Sequence, residues 1–139
     1  MDRRDADKAD VSLRLPADGA YVSVLRTMTA GLAARLDFTV DDIEDLRIAV
    51  GEACALVLPQ ARPGGDLEAD FRQTASSLTV SVRVATDGRA DPDYESFAWQ
   101  VLNTLASEAS AACDDGHLEI TFSADSSLAA PGPRLGAGG

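Results

Sequence analysis

The 139-residue sequence is short of several things at once. It has two cysteines, Cys54 and Cys113, too few for a disulfide framework, which points to reduced thiols and a cytoplasmic setting. Its one histidine, His117, argues against a His-based metal site, and no metal site is expected. Lys8 is the only lysine, so a P-loop or Schiff-base mechanism has no candidate. No stretch approaches the roughly 20 apolar residues of a membrane span. The first ten residues mix four Asp with three basic residues and do not read as a secretory signal. Positive charge is scarce as well: 12 basic residues face 23 acidic ones, a net charge of -11. A nucleic-acid binder needs a cationic surface to displace counterions, and an anionic membrane would repel this chain. The acidity suits a basic protein partner.

What is present fits one domain by length, with 45% hydrophobic residues. Residues 1–10 read as a charged, disordered leader and 124–139 as a flexible tail rich in Ala, Gly, Pro and Ser. The body is then 11–123. Val11–Leu15 alternates apolar and polar residues until Pro16 stops it, which predicts a strand. Val22, Leu25, Met28, Leu32 and Leu36 share one helical face. Thr39 is placed as an N-cap, with Asp41 and Asp42 in the first turn of a second helix running to Pro59. Leu67–Arg72 and Leu78–Val84 predict an antiparallel hairpin. Phe97, Val101, Leu105 and Ala109 predict a third helix, with Phe97 and Trp99 as packing residues, and Leu118–Phe122 a last strand. The order β-α-α-β-β-α-β, with helices gathered to one side, predicts an α+β two-layer sandwich.

At Asp45-Leu-Arg-Ile-Ala-Val-Gly-Glu-Ala-Cys-Ala55 the chain resembles the RsbW-type anti-sigma factors, small serine protein kinases of the histidine-kinase-like (GHKL, or Bergerat) ATPase fold. The resemblance covers about 11–123 and is nearest a divergent actinobacterial branch. It includes the element order, the Leu-Asp-Phe break between the first two helices, and Ser96-Phe-Ala-Trp-Gln-Val-Leu102 where that family carries a glycine-rich lid. It implies a homodimer that sequesters an alternative sigma factor. A STAS-type anti-anti-sigma protein then competes for it, in a partner switch tied to stress.

The resemblance makes Glu52 the general base, or its vestige, on helix two. A solvated helical carboxylate is the plain alternative. The family's metal-ligand position, one turn later, holds Leu56, which offers Mg²⁺ no oxygen. Aligned by Gly88, Thr86 stands where the family reads adenine with Asp. A one-residue shift would place Asp87 there, and Asp87-Gly88 also reads as a simple turn. Ser96 and Ala98 replace lid glycines, and no glycine lies between Gly88 and Gly116. These departures imply a degenerate nucleotide site, with ATP and Mg²⁺ weak and not required. An active kinase, or a scaffold with an unrelated partner, are the competing readings. On the partner side, Arg26 aligns with a family arginine that contacts sigma factor and competitor in turn, and Arg14 and Arg35 are weaker candidates for that surface. Cys54 and Cys113 read by default as small buried hydrophobes and, as a lesser reading, as candidates for a redox switch.

Overall fold

The computed structural model describes residues 9–129. The chain runs through strand β1 (Val11–Pro16), helices α1 (Val22–Arg35) and α2 (Val40–Val57), and strands β2 (Asp66–Gln73) and β3 (Ser77–Ala85). Helix α3 (Phe97–Leu105) and strands β4 (Glu108–Cys113) and β5 (His117–Asp125) complete it. The strands form one antiparallel sheet in the order β1-β2-β3-β5-β4, and the three helices make the second layer of an α+β sandwich.

Alternation along each strand decides which face meets the helices. Leu67, Ala69 and Phe71 of β2, Leu78, Val80, Val82 and Val84 of β3, and Leu118, Ile120 and Phe122 of β5 are all buried. The outer face is polar. Its register lines up Arg14, Glu68, Arg83 and Glu119 across four strands, alternating in sign, with Arg83 paired to Glu68. Ser81 and Thr121 hydrogen-bond across the same face at 2.9 Å.

Helix α1 buries Leu25, Thr29, Leu32 and Ala33. The Thr29 hydroxyl is satisfied by donating to the Leu25 carbonyl at 2.8 Å. The helix ends at Arg35, Asp37 with a φ of 62° turns the chain back, and Thr39 caps the start of α2. The expected cap is a full capping box: the Asp42 N–H donates to the Thr39 hydroxyl at 3.1 Å, and the Thr39 N–H to Asp42 Oδ2 at 3.0 Å. Helix α2 is the central helix. It packs against α1, α3, β3 and β5 and buries Leu46, Val50, Ala53, Cys54, Leu56 and Val57 among others.

Three expectations need correction. Helix α3 stops at Leu105, and residues 108–113 form an edge strand on β5, giving eight elements where seven were predicted. Alanine-rich Glu108–Cys113 carries no strand propensity of its own and extends the helical spacing through Ala109. Pairing with β5, whose edge would otherwise lie open, overrides that preference. The buried face of α3 is also turned by one residue: Leu102 is its fully buried side chain, while Phe97 points to solvent. Finally, the body does not end at 123. Strand β5 continues to Asp125, Ser126 is buried, and Ser127 binds Asp42. At the other end, Asp10 belongs to the fold through its N–H bond to the Phe71 carbonyl at 2.8 Å. The rest of the expected leader and tail, residues 1–8 and 130–139, lies outside the described residues.

Candidate functional site

Helix α2 presents Glu52 and Leu56 one turn apart, so they share a helical face. Glu52 is half-buried and forms no ion pair among the described residues. Leu56 is 6% exposed and belongs to the hydrophobic core. The position where a metal ligand is expected is therefore occupied by packing.

At the end of β3, Thr86 and Asp87 take different roles. Thr86 is buried, its N–H donates to the Gly116 carbonyl at 2.9 Å, and its hydroxyl donates to the carbonyl of Gly88. Asp87 is exposed and pairs with Arg62 at 3.5 Å. Gly88, at φ 86°, closes the turn in a conformation that disfavours side chains. Thr86 thus faces inward, and Asp87 looks away to a neighbouring arginine.

The segment where a glycine-rich lid is expected is a fixed loop leading into a capped helix. Ser96 is the N-cap of α3: its hydroxyl accepts the Trp99 N–H at 3.1 Å and donates to the Asp93 carbonyl at 2.8 Å. Ala98 and Trp99 pack partly against the core. Gln60, just after α2, donates to the Asp91 carbonyl at 3.0 Å and ties the loop down. The capping role of Ser96 is legible in the sequence, as a serine just before a helical stripe, but the lid comparison draws attention away from it.

The arginines do not form one surface. Arg26 lies half-buried across α2, over Gly51. A Cβ at position 51 would stand 2.6 Å from Arg26 Nη2, 3.2 Å from Nε and 3.3 Å from Cζ. No carboxylate pairs with Arg26 among the described residues. Arg35 is nine residues further along α1, two and a half turns at about 3.6 residues per turn, which places it on the opposite side of that helix. Arg14 extends from the outer face of the sheet toward Asp66 at 3.8 Å, with the sheet between it and α1. The signal for Gly51, a glycine inside a helical stripe, was visible in the sequence and its use was not.

The cysteines also separate. Cys54 is buried on α2. Desolvation pushes its thiol up to about 12, although the Arg26 guanidinium pulls the other way, so it is protonated at neutral pH. Cys113 is half-buried on the edge strand β4, with Sγ 3.8 Å from Asp91 Oδ1. Both are free, and the burial of Cys54 removes it as a redox candidate.

A cavity of 240 Å³ opens between the first half of α2 and the end of β5, with Phe38, Leu46 and Phe122 among its walls. Glu52, Leu56 and Thr86 do not line it. No group of His, Cys, Asp and Glu suited to a metal ion occurs among the described residues, and no helix among them is long and apolar enough to cross a membrane.

Comparison with known proteins places this arrangement. The sequence is 34% identical over 88 residues to the serine-protein kinase RsbW of Halalkalibacterium halodurans, covering 63% of this chain and 52% of that protein. It is 43% identical over 51 residues to RsbW of Bacillus velezensis, 37% of this chain and 32% of that one. The chain thus spans about half the length, or less, of these curated relatives. The family model of the histidine kinase-like ATPase domain matches residues 15–111, which include the last two residues of β1, all three helices, the hairpin and the first residues of β4. The chain belongs to the histidine kinase-like ATPase domain family.

Proposed function

We propose that the chain is an anti-sigma factor of the RsbW type whose nucleotide site is degenerate. It holds an alternative sigma factor in the cytoplasm, as a homodimer, and gives it up to a STAS-type anti-anti-sigma protein. The similarity to RsbW serine-protein kinases supports the scaffold of this reading. The observation that carries its second half is Leu56. Mg²⁺ demands oxygen ligands in near-octahedral order, and a core leucine one turn after Glu52 supplies none. Thr86 spends its hydroxyl proton on the Gly88 turn, and the N-terminus of α3 is approached by Glu95 and capped by Ser96 with no glycine to admit a triphosphate. The residues present therefore do not fit Mg-ATP, and control falls to the abundance of the competing partners. Arg26 suits partner exchange. A guanidinium with no carboxylate partner among the described residues can fork two hydrogen bonds to a carboxylate on either partner in turn.

One observation favours the active kinase as a second reading: Glu52 keeps a carboxylate on α2 where a serine hydroxyl would need a base. Calorimetric titration with Mg-ATP, alongside a phosphotransfer assay on the cognate STAS protein, separates the two. A flat titration, no phosphoserine, and release of the sigma factor by STAS protein without nucleotide are expected. Micromolar ATP binding, or phosphorylation that disappears in Glu52→Ala, establishes the kinase instead. Failure to bind any sigma factor removes both.

A further inference from the structure

Aromatic residues make up 5% of this chain. Yet Tyr94, Phe97 and Trp99 fall within six positions at the entrance to α3. Phe97 is 76% exposed and Tyr94 53%. Tyr94 meets Trp99 edge to face, with ring centroids 5.1 Å apart, and Trp99 is held partly against the core. Three exposed carboxylates lie beside these rings in the chain: Asp91 and Asp93 just before Tyr94, and Glu95 between Tyr94 and Phe97. Arg89 answers Asp91 at 3.4 Å, and Asp93 Oδ1 accepts the Glu95 N–H at 3.1 Å. The Glu95 carboxylate forms no ion pair among the described residues.

The backbone under these side chains is anchored by the Ser96 cap, by the Gln60 bond to Asp91 and by buried Ala90. The exposed rings are thus displayed on a firm support, and exposed apolar surface of this kind marks interaction sites. Its chemistry selects the occupant. Aromatic faces and carboxylates together attract guanidinium groups, through cation–π contact and ion pairing, and the rings also accept aliphatic side chains. A nucleic acid offers the wrong charge to a chain of net charge -11.

We propose that Tyr94, Phe97 and Trp99, with Asp93 and Glu95, form a docking surface for a basic amphipathic segment of a protein partner, one that presents Arg beside apolar side chains. This surface does not include Arg26, and the proposal is independent of whether the partner is a sigma factor.

Trp99 is the only tryptophan, so its emission reports on the surface directly. The full chain is titrated with a synthetic Arg/Leu amphipathic peptide and with a Glu/Leu peptide of the same pattern, at low and at physiological salt. A saturable emission change with the Arg/Leu peptide alone, weakening as salt rises, is expected. Phe97→Ser weakens it by about tenfold or more and Glu95→Gln by about threefold, while Glu108→Gln on β4 leaves it unchanged. Circular dichroism confirms that each variant is folded. Absence of a saturable change, an equal response to the Glu/Leu peptide, or wild-type affinity in Phe97→Ser overturns the proposal. So does an emission change on diluting the protein alone, which would assign the surface to a second copy of the chain.

Discussion

Arg26 owes its place to the missing side chain of its neighbour. At position 51 a methyl group would collide with the guanidinium at 2.6 Å, and a flexible arginine yields before a helix backbone does. Gly51→Ala also gains helix propensity, about 1 kcal/mol. The expected result is unusual: urea unfolding gives a stability equal to or above wild type, while binding of the proposed sigma-factor partner falls as far as in Arg26→Ala. The double variant binds no more weakly than either single one. Leu56 sets the opposite case. Leu56→Asn restores an oxygen on α2 but puts an amide into the core, which costs about 2–4 kcal/mol in urea unfolding and leaves the Mg-ATP titration flat. Cys54 makes a third residue-scale prediction. Held near 12 by burial, its thiol resists a water-soluble disulfide reagent in the native protein, whereas Cys113 reacts, and both react in urea.

Among the elements, α2 is fixed at its start by its own cap and by the residues that follow β5. Thr39 and Asp42 form its capping box, and Asp42 also accepts the Ser127 N–H at 3.0 Å and the Ser127 hydroxyl at 2.9 Å. Desolvation raises the Asp42 carboxyl, but the bonds from Ser127 and Thr39 together outweigh it and hold the group below its ordinary 3.8. Its folded pKa lies below the unfolded one, so the unfolded chain takes up more protons in acid. The contribution is intact above 3.8 and is lost as pH falls through the folded value. Asp42→Ala is expected to cost about 1–2 kcal/mol at neutral pH and to flatten that acid limb, as followed by urea unfolding against pH. Removal of 126–139 takes away the Ser127 bonds and the Ser126 bond to the Asp37 carbonyl, and lowers the melting temperature by several degrees rather than leaving it unchanged.

For the whole molecule, acidity is the property expected to govern encounter with the proposed partners. A protein of net charge -11 that meets a basic partner gains encounter rate from complementary fields. Raising salt toward half-molar is expected to lower the association rate about tenfold or more while changing dissociation little, measured by surface plasmon resonance. Much of this scale was legible in the sequence. The alternation of Leu67–Phe71 and Leu78–Val84 placed the hairpin. Thr39 with Asp42 placed the start of α2, and the motif around Glu52 carried the family.

The rest depended on contacts that local pattern does not encode. Strand β4 exists because β5 offers an unpaired edge, so an alanine-rich segment with helical spacing becomes strand. Phe97 lies on a helical stripe by spacing, but packing of Ala98, Trp99 and Leu102 turned that face of α3 away from it. Arg14, Arg26 and Arg35 looked like one surface in one dimension. A sheet lies between two of them, and two and a half helical turns put the third on the opposite side of α1. Net charge follows from composition alone, and the cap at Thr39, the strand alternation and the family motif are each set by residues within a few positions of one another, so all could be read along the chain. Tertiary structure decided the seat of Arg26 on Gly51, the burial of Leu56 and Cys54, and the tie between Ser127 and Asp42, because these join residues 25 to 85 positions apart and depend on how the layers close.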